Sequence, residues 1–208
     1  KMFVAGRTNS SVFEYALSSN FDISSASYTQ AFSVSSQESN LQDLAFNTDG
    51  TKLFICGQGS NRINEYALTS GFDVSTASFT QGFSVSSQES QVTGLTFNND
   101  GTAVFIVGED GDEVNEYALS SAFNISTASY TQNFSISSQD TTPRAIRFSA
   151  LGTKMFVVGQ AGLDVNEYNI GTAYYPNQMN KTQLDAIPDA NHFTLANDLD
   201  LAIIFNLS

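Results

Sequence analysis

What the sequence is short of narrows its chemistry first. It has no tryptophan, one cysteine (Cys56) and one histidine (His192) among 208 residues. A single cysteine excludes an intrachain disulfide. One His and one Cys cannot build a zinc site of the usual kind. A Ser-His-acid triad would have to run through His192, and no nucleophile-elbow glycine pattern accompanies it. His192 therefore reads as a polar linker residue. Basic residues are scarce, eight Lys and Arg against 21 Asp and Glu, for a net charge of −13. Such a surface repels phosphate backbones and anionic lipid, so neither nucleic acid nor membrane insertion is expected. No run has the length of a membrane-spanning helix.

What is abundant is aromatic and uncharged polar. Phe occurs 17 times and Tyr eight times, while only 14% of residues are charged. Phe and Tyr favour packed sheet faces. A surface made polar by hydroxyls and amides suits an extracellular or virion β protein.

The dominant signal is self-similarity, sought before local structure. KMFVAG (1–6) recurs as KLFICG (52–57), AVFIVG (103–108) and KMFVVG (154–159), each 51 residues further on. VFEYALSS (12–19) recurs at 63–70, 114–121 and, altered, at 165–172. FDISSASYTQAFSVSSQ (21–37) recurs at 72–88 and 123–139, and the fourth copy fades after Tyr174. Cys56 is equivalent to Ala5, Val107 and Val158, and so reads as a small buried apolar residue.

Each unit predicts four strands, A to D. In 91–141, strand A is 91–98, strand B 103–108, strand C 113–119 and strand D 129–137. Asn99-Asp100-Gly101 supplies the tight turn between A and B. Alternation in strand D predicts Tyr130, Gln132, Phe134 and Ile136 on one side. Four strands in about 50 residues, repeated, predict an all-β fold, a β-propeller of four-stranded blades. A β-solenoid is the alternative, but its coils are usually shorter. The chain opens within a repeat, at strand B, so that residues are expected to precede Lys1. Nearly four blades could close alone, form part of a larger ring, or share a ring with another chain. A homo-oligomer is predicted.

The unit F-x-x-D-G-T-K-x-F-V-x-G…V-x-E-Y-x-L-S-S-x-F-D-I-S-T-A-S-Y…F-S-V-S-S-Q resembles propeller repeats of phage, algal-virus and marine bacterial proteins. More distantly it is similar to the YVTN or lactonase-type seven-bladed repeat. The resemblance covers 1–174 and implies fold more than function. The remainder, 175–208, differs in composition. It predicts a short helix 181–187, capped by Asn180 and ended by Pro188, and an apolar strand 199–207 that closes the ring or packs on another subunit. It is similar to terminal segments of phage tail-fibre proteins.

The repeated Glu14, Glu65, Glu116 and Glu167 are expected to be hydrogen-bonded structural groups, because a residue present in every blade usually serves the blade. Asp22, Asp73 and Asn124 are expected to satisfy backbone donors in the C–D connection. Function is expected where the repeats disagree. The B–C loop of the third repeat gathers Glu109, Asp110, Asp112 and Glu113 around a glycine, which suits Ca²⁺, although a solvated acidic loop is the simpler reading. The D–A connection varies too, as Glu38-Ser39-Asn40, Glu89-Ser90-Gln91 and Asp140-Thr141-Thr142-Pro143. Arg7, Asn9, Asn61 and Arg62 in the other B–C loops, with Arg144 and Arg147, are the expected binding residues; Arg144 and Arg147 would pair with nearby acids by default, or hold an anionic sugar.

Three functions follow as expectations. The first is a non-catalytic virion or cell-surface module, binding other virion proteins or a host surface glycan. The second is a secreted propeller hydrolase or lactonase. The third is an extracellular filament or matrix protein of a marine microbe.

Overall fold

A computed structural model describes residues 1–170. The expected helix 181–187, the strand 199–207 and His192 lie outside the described residues. Four antiparallel sheets follow one another along the chain, as blades. Blade one holds β1 (Met2–Gly6), β2 (Ser11–Leu17) and β3 (Ala26–Ser33). Blade two holds β4 (Leu41–Phe46), β5 (Lys52–Gly57), β6 (Arg62–Leu68) and β7 (Ala77–Ser84). Blade three holds β8 (Val92–Phe97), β9 (Ala103–Gly108), β10 (Glu113–Leu119) and β11 (Ala128–Ser135). Blade four holds β12 (Pro143–Phe148), β13 (Lys154–Gly159) and β14 (Val165–Asn169). Strand order within each sheet is the chain order. The A strands β4, β8 and β12 lie against one another, so they form the inner wall; β3, β7 and β11 are the outer edges. This is the arrangement of propeller blades.

The core lies between blades. Val12 and Val34 of blade one pack with Leu53, Ile55 and Tyr66 of blade two. Phe54, Cys56 and Ile63 pack with Leu95, Val104 and Ile106 of blade three. Val107 and Val114 pack with Ile146, Met155 and Val157 of blade four. Each fully buried side chain of this size contributes about 1.5–3 kcal/mol. The repeated aromatics mesh across the same seams. The strand B Phe of one blade meets the strand A Phe of the next: Phe3–Phe46 at 4.6 Å, Phe54–Phe97 at 4.5 Å and Phe105–Phe148 at 4.6 Å. The strand D Phe meets the next blade's strand C Tyr: Phe32–Tyr66 and Phe83–Tyr117, both 5.5 Å.

The repeated carboxylates are seam groups too. Glu14 accepts from Gln30 and from the backbone N–H of Val74 in the next blade, and pairs with Lys1 at 2.6 Å. Burial would raise its carboxyl, but the hydrogen bonds from Gln30, Lys1 and Val74, with the Lys1 charge, hold it below its usual value. Asp22, Asp73 and Asn124 cap single 3-10 turns, accepting from the N–H of Ser24, Ser75 and Ser126.

Strand D corrects one expectation. Gln132 lies opposite Glu116 and Tyr130 opposite Tyr117, leaving Thr131 as a bulge. Because adjacent strand residues face opposite ways, the bulge turns Tyr130 away from the side of Gln132 and Phe134. Simple alternation does not survive an extra residue.

Candidate functional site

The start of strand A and the end of strand B share one end of each blade, because Leu41 pairs with Gly57 and Val92 with Gly108. A buried acid fixes the loop there. Glu38, only 1% exposed, accepts from the N–H groups of Asn40, Gly59 and Ser60 and from the Ser60 hydroxyl. Glu89 does the same for Gln91, Asp110 and Gly111, and Asp140 for Thr142 and Gly162. Sequence reading counted these acids among the variable connections. Their recurrence at one position in three repeats was the available signal of a scaffolding role.

The residue that follows strand B is presented from this clamped loop. It is Arg7, Gln58, Glu109 and Gln160 in turn. These side chains form one continuous ladder across four blades. Arg7 Nε donates to Asn40 Oδ1 at 2.7 Å. Asn40 and Gln42 both donate to Gln58 Oε1, at 3.1 and 3.0 Å. Gln58 Nε2 donates to Glu109 Oε1 at 2.6 Å. Arg144 donates to the same Glu109 oxygen and to Gln160 Oε1. Below the ladder, Arg147 on β12 makes a two-pronged ion pair with Asp43 on β4, both distances 3.1 Å, and donates to the Leu95 carbonyl between them. Asp43 accepts the Leu95 N–H at 3.1 Å. The hydrogen bonds to Asp43 raise the Arg147 guanidinium above its usual value. The wall narrows at Gly94, where a Cβ would lie 3.1 Å from the Ala145 Cα.

Of the expected binding residues, Arg7, Arg144 and Arg147 therefore lie on this inner mouth, with Glu109. Asn9, Asn61 and Arg62 do not. Asn61 is a turn residue with φ 50°, Arg62 donates to the Gly82 carbonyl on outer strand β7, and the exposed Asn9 gives its carbonyl to Ser11. Asn40, Gln42, Gln58, Gln160 and Asp43 belong to the mouth and were not singled out by sequence.

The four loop acids do not converge as a calcium site would require. Glu109 turns inward to Gln58 and Arg144, Asp110 accepts from Ser90 and Gln91, and Glu113 accepts from Asn133. Among the described residues no group of three or more His, Cys, Asp or Glu could hold a metal ion. Cys56 is buried, which pushes its thiol well up.

Asp112 occupies the left-handed turn position with φ 50°, and its Oδ1 is buried without a partner. Burial, then Asp140, Asp110 and Glu113, raise its carboxyl above the usual 3.8. A raised carboxyl holds its proton more tightly in the folded chain than in the unfolded one. Its ionisation thus costs stability as pH rises above that value. The equivalent residue in blade two is Asn61, also left-handed. Asp112→Asn is expected to raise the unfolding midpoint at pH 7 by about 2–3 °C, and to leave it unchanged at pH 3. Calorimetry at both pH values checks this.

No family model matches the sequence, and no curated protein matches it. Solved structures do. A candidate 6-phosphogluconolactonase from Bacteroides uniformis superposes with TM-score 0.58 at 12% identity, over 81% of this chain and 50% of that one. The periplasmic gluconolactonase of Pseudomonas aeruginosa gives 0.52 at 16% identity, over 81% and 49%. The Cps50 (Swd1) β-propeller domain of Myceliophteria thermophila gives 0.51 at 11% identity, over 78% and 48%. The chain thus spans about half the length of these structures. At such identities the likeness is one of fold, a β-propeller. None of the three is a virion protein, and the tail-fibre expectation gains no support from them.

Proposed function

We propose that the mouth ladder is the ligand site of a lactonase-type propeller, taking a small polyhydroxylated lactone that carries an anionic group. The observation behind it is the contrast within the repeat. The clamps, seams and cores recur from blade to blade, whereas the residue presented into the mouth changes from Arg7 to Gln58 to Glu109 to Gln160. Two guanidinium groups, Arg7 and Arg144, sit on a ladder that otherwise offers amides and one carboxylate, in a chain with only eight Lys and Arg. Guanidinium forks suit a carboxylate or phosphate, and the amides suit hydroxyls. Two of the similar structures, a candidate 6-phosphogluconolactonase and a periplasmic gluconolactonase, point the same way.

In this reading Arg144 and Arg7 hold the anionic end and Gln58 and Gln42 hold hydroxyls. Both bonds to Glu109 go to Oε1, so Oε2 is the atom that takes a proton from water attacking the lactone carbonyl. The ring C–O bond breaks, the proton passes to the departing oxygen, and an open hydroxy acid leaves. A pH-stat assay on gluconolactone and its 6-phosphate tests this. Glu109→Gln is expected to lower kcat about 100-fold or more, and Arg144→Ala chiefly to raise KM. Hydrolysis of both lactones at the uncatalysed rate, with no calorimetric binding of the open acids, overturns it and returns the virion and matrix modules to first place.

A further inference from the structure

The outer rim carries a second set of repeated features that neither the seams nor the mouth uses. Tyr28 on β3, Phe79 on β7 and Tyr130 on β11 stand at 51-residue spacing and are 61%, 46% and 43% exposed. Each makes an edge-on aromatic contact inward, with Tyr15, Tyr66 and Tyr117 at 5.8, 5.6 and 5.7 Å, and leaves the rest of its exposed surface to solvent. Each is flanked by an exposed Ser and Thr: Ser27 and Thr29, Ser78 and Thr80, Ser129 and Thr131. Three consecutive exposed residues are unusual in a strand. They arise here because the Thr is the bulged residue that has no partner on strand C.

The chemistry of these edges narrows what could cover them. In a protein of net charge −13, the three strands ASYTQAFS, ASFTQGFS and ASYTQNFS contain no charged residue. Edge strands are commonly blunted with Lys or other charges against unwanted pairing. Here the blunting device is the bulge, which breaks the register that an added strand from another chain would need. What the bulge leaves on offer is side chains: a flat aromatic ring bracketed by hydroxyls. Rings stack on the apolar faces of sugar rings, and hydroxyls exchange hydrogen bonds with sugar hydroxyls.

We propose that the outer rim is a multivalent binding surface for a neutral polysaccharide, with one aromatic contact per blade at Tyr28, Phe79 and Tyr130. It is separate from the mouth and does not rest on the lactonase reading. Each contact alone is weak, and a polymer that engages all three gains through effective concentration.

Affinity electrophoresis in gels containing soluble neutral glucan or mannan tests it. The unmodified chain is expected to be retarded. The triple variant Tyr28→Leu, Phe79→Leu, Tyr130→Leu keeps an apolar contact with strand C but lacks a flat ring. It is expected to bind at least about tenfold more weakly, with each single variant intermediate. Lactone hydrolysis by the triple variant should be unchanged. The proposal is overturned if no neutral polysaccharide retards the unmodified chain. It is overturned equally if the triple variant, unfolding at the same temperature, is retarded as much, or if light scattering shows the rims pairing with a second copy of the chain instead.

Discussion

Glu65→Ala is expected to lower stability by about 3–5 kcal/mol, the cost of removing one partner from a buried charge network. Glu65 is 2% exposed and lies at the seam between blades two and three. It accepts the Ile125 N–H at 3.3 Å from the next blade, accepts from Gln81 at 2.7 Å, and pairs with Lys52 at 2.8 Å. Lys52 in turn donates to the Phe123 carbonyl of the next blade, and Gln81 also reaches Asn124. Without the carboxylate, the buried Ile125 N–H loses its acceptor, Gln81 keeps only Asn124, and Lys52 keeps only the Phe123 carbonyl and its exposed edge. Glu65→Gln keeps the shape and part of the hydrogen bonding, and is expected to cost about 1–2 kcal/mol. Glu167 is the internal control. It pairs with Lys154, but their side chains are 45% and 44% exposed. Glu167→Ala is expected to cost about 0–1 kcal/mol. Urea unfolding of the three variants measures the differences, and equal losses for Glu65→Ala and Glu167→Ala would refute the seam account.

The fold was legible because its determinants are local and repeated. The 51-residue period and the apolar strand B segments placed β5, β9 and β13 to the residue, with Asp-Gly turns ahead of the first two. The structural role of Glu65 followed from its recurrence alone. What recurrence could not give was the partner. The Ile125 N–H lies 60 residues away, in another blade. The strand D bulge was missed for a related reason: a period-two pattern on one strand does not reveal an extra residue that only the register with strand C exposes.

The mouth was half legible. Variation between repeats pointed to the B–C loop, but treated its residues as equivalent. In the structure their fates differ by position. The first, as in Glu109, turns inward onto the ladder. The last, as in Asn61 and Asp112, adopts a left-handed turn and serves the hairpin. Such a distinction requires knowing which side of the hairpin faces the inner strands. Gln58 and Gln42 were passed over because an uncharged amide carries no signal alone; its role appears only once Glu109 of the next blade is within 2.6 Å. The acidic loop reads first as a solvated loop and second as a Ca²⁺ site. Four carboxylates in five residues look like a cage, yet Glu109, Asp110 and Glu113 turn to separate partners and Asp112 Oδ1 has none.

Gly101→Ala is expected to cost about 3 kcal/mol. Gly101 has φ 71°, so the substitution pays a left-handed strain of about 1 kcal/mol. A Cβ there would also enter the ring of Phe123. Phe123 has little freedom to yield. Its N–H donates to the Gly101 carbonyl at 2.8 Å, and its ring packs 5.3 Å from Phe97 and 6.4 Å from Phe54. Displacing it therefore disturbs the aromatic seam between blades two and three. The strain term and the packing term can be separated by a double-mutant cycle. In a Phe123→Ala background the ring is gone, and Gly101→Ala should then cost only about 1 kcal/mol. If the cost stays near 3 kcal/mol in that background, the turn conformation alone sets it and the ring contact contributes nothing.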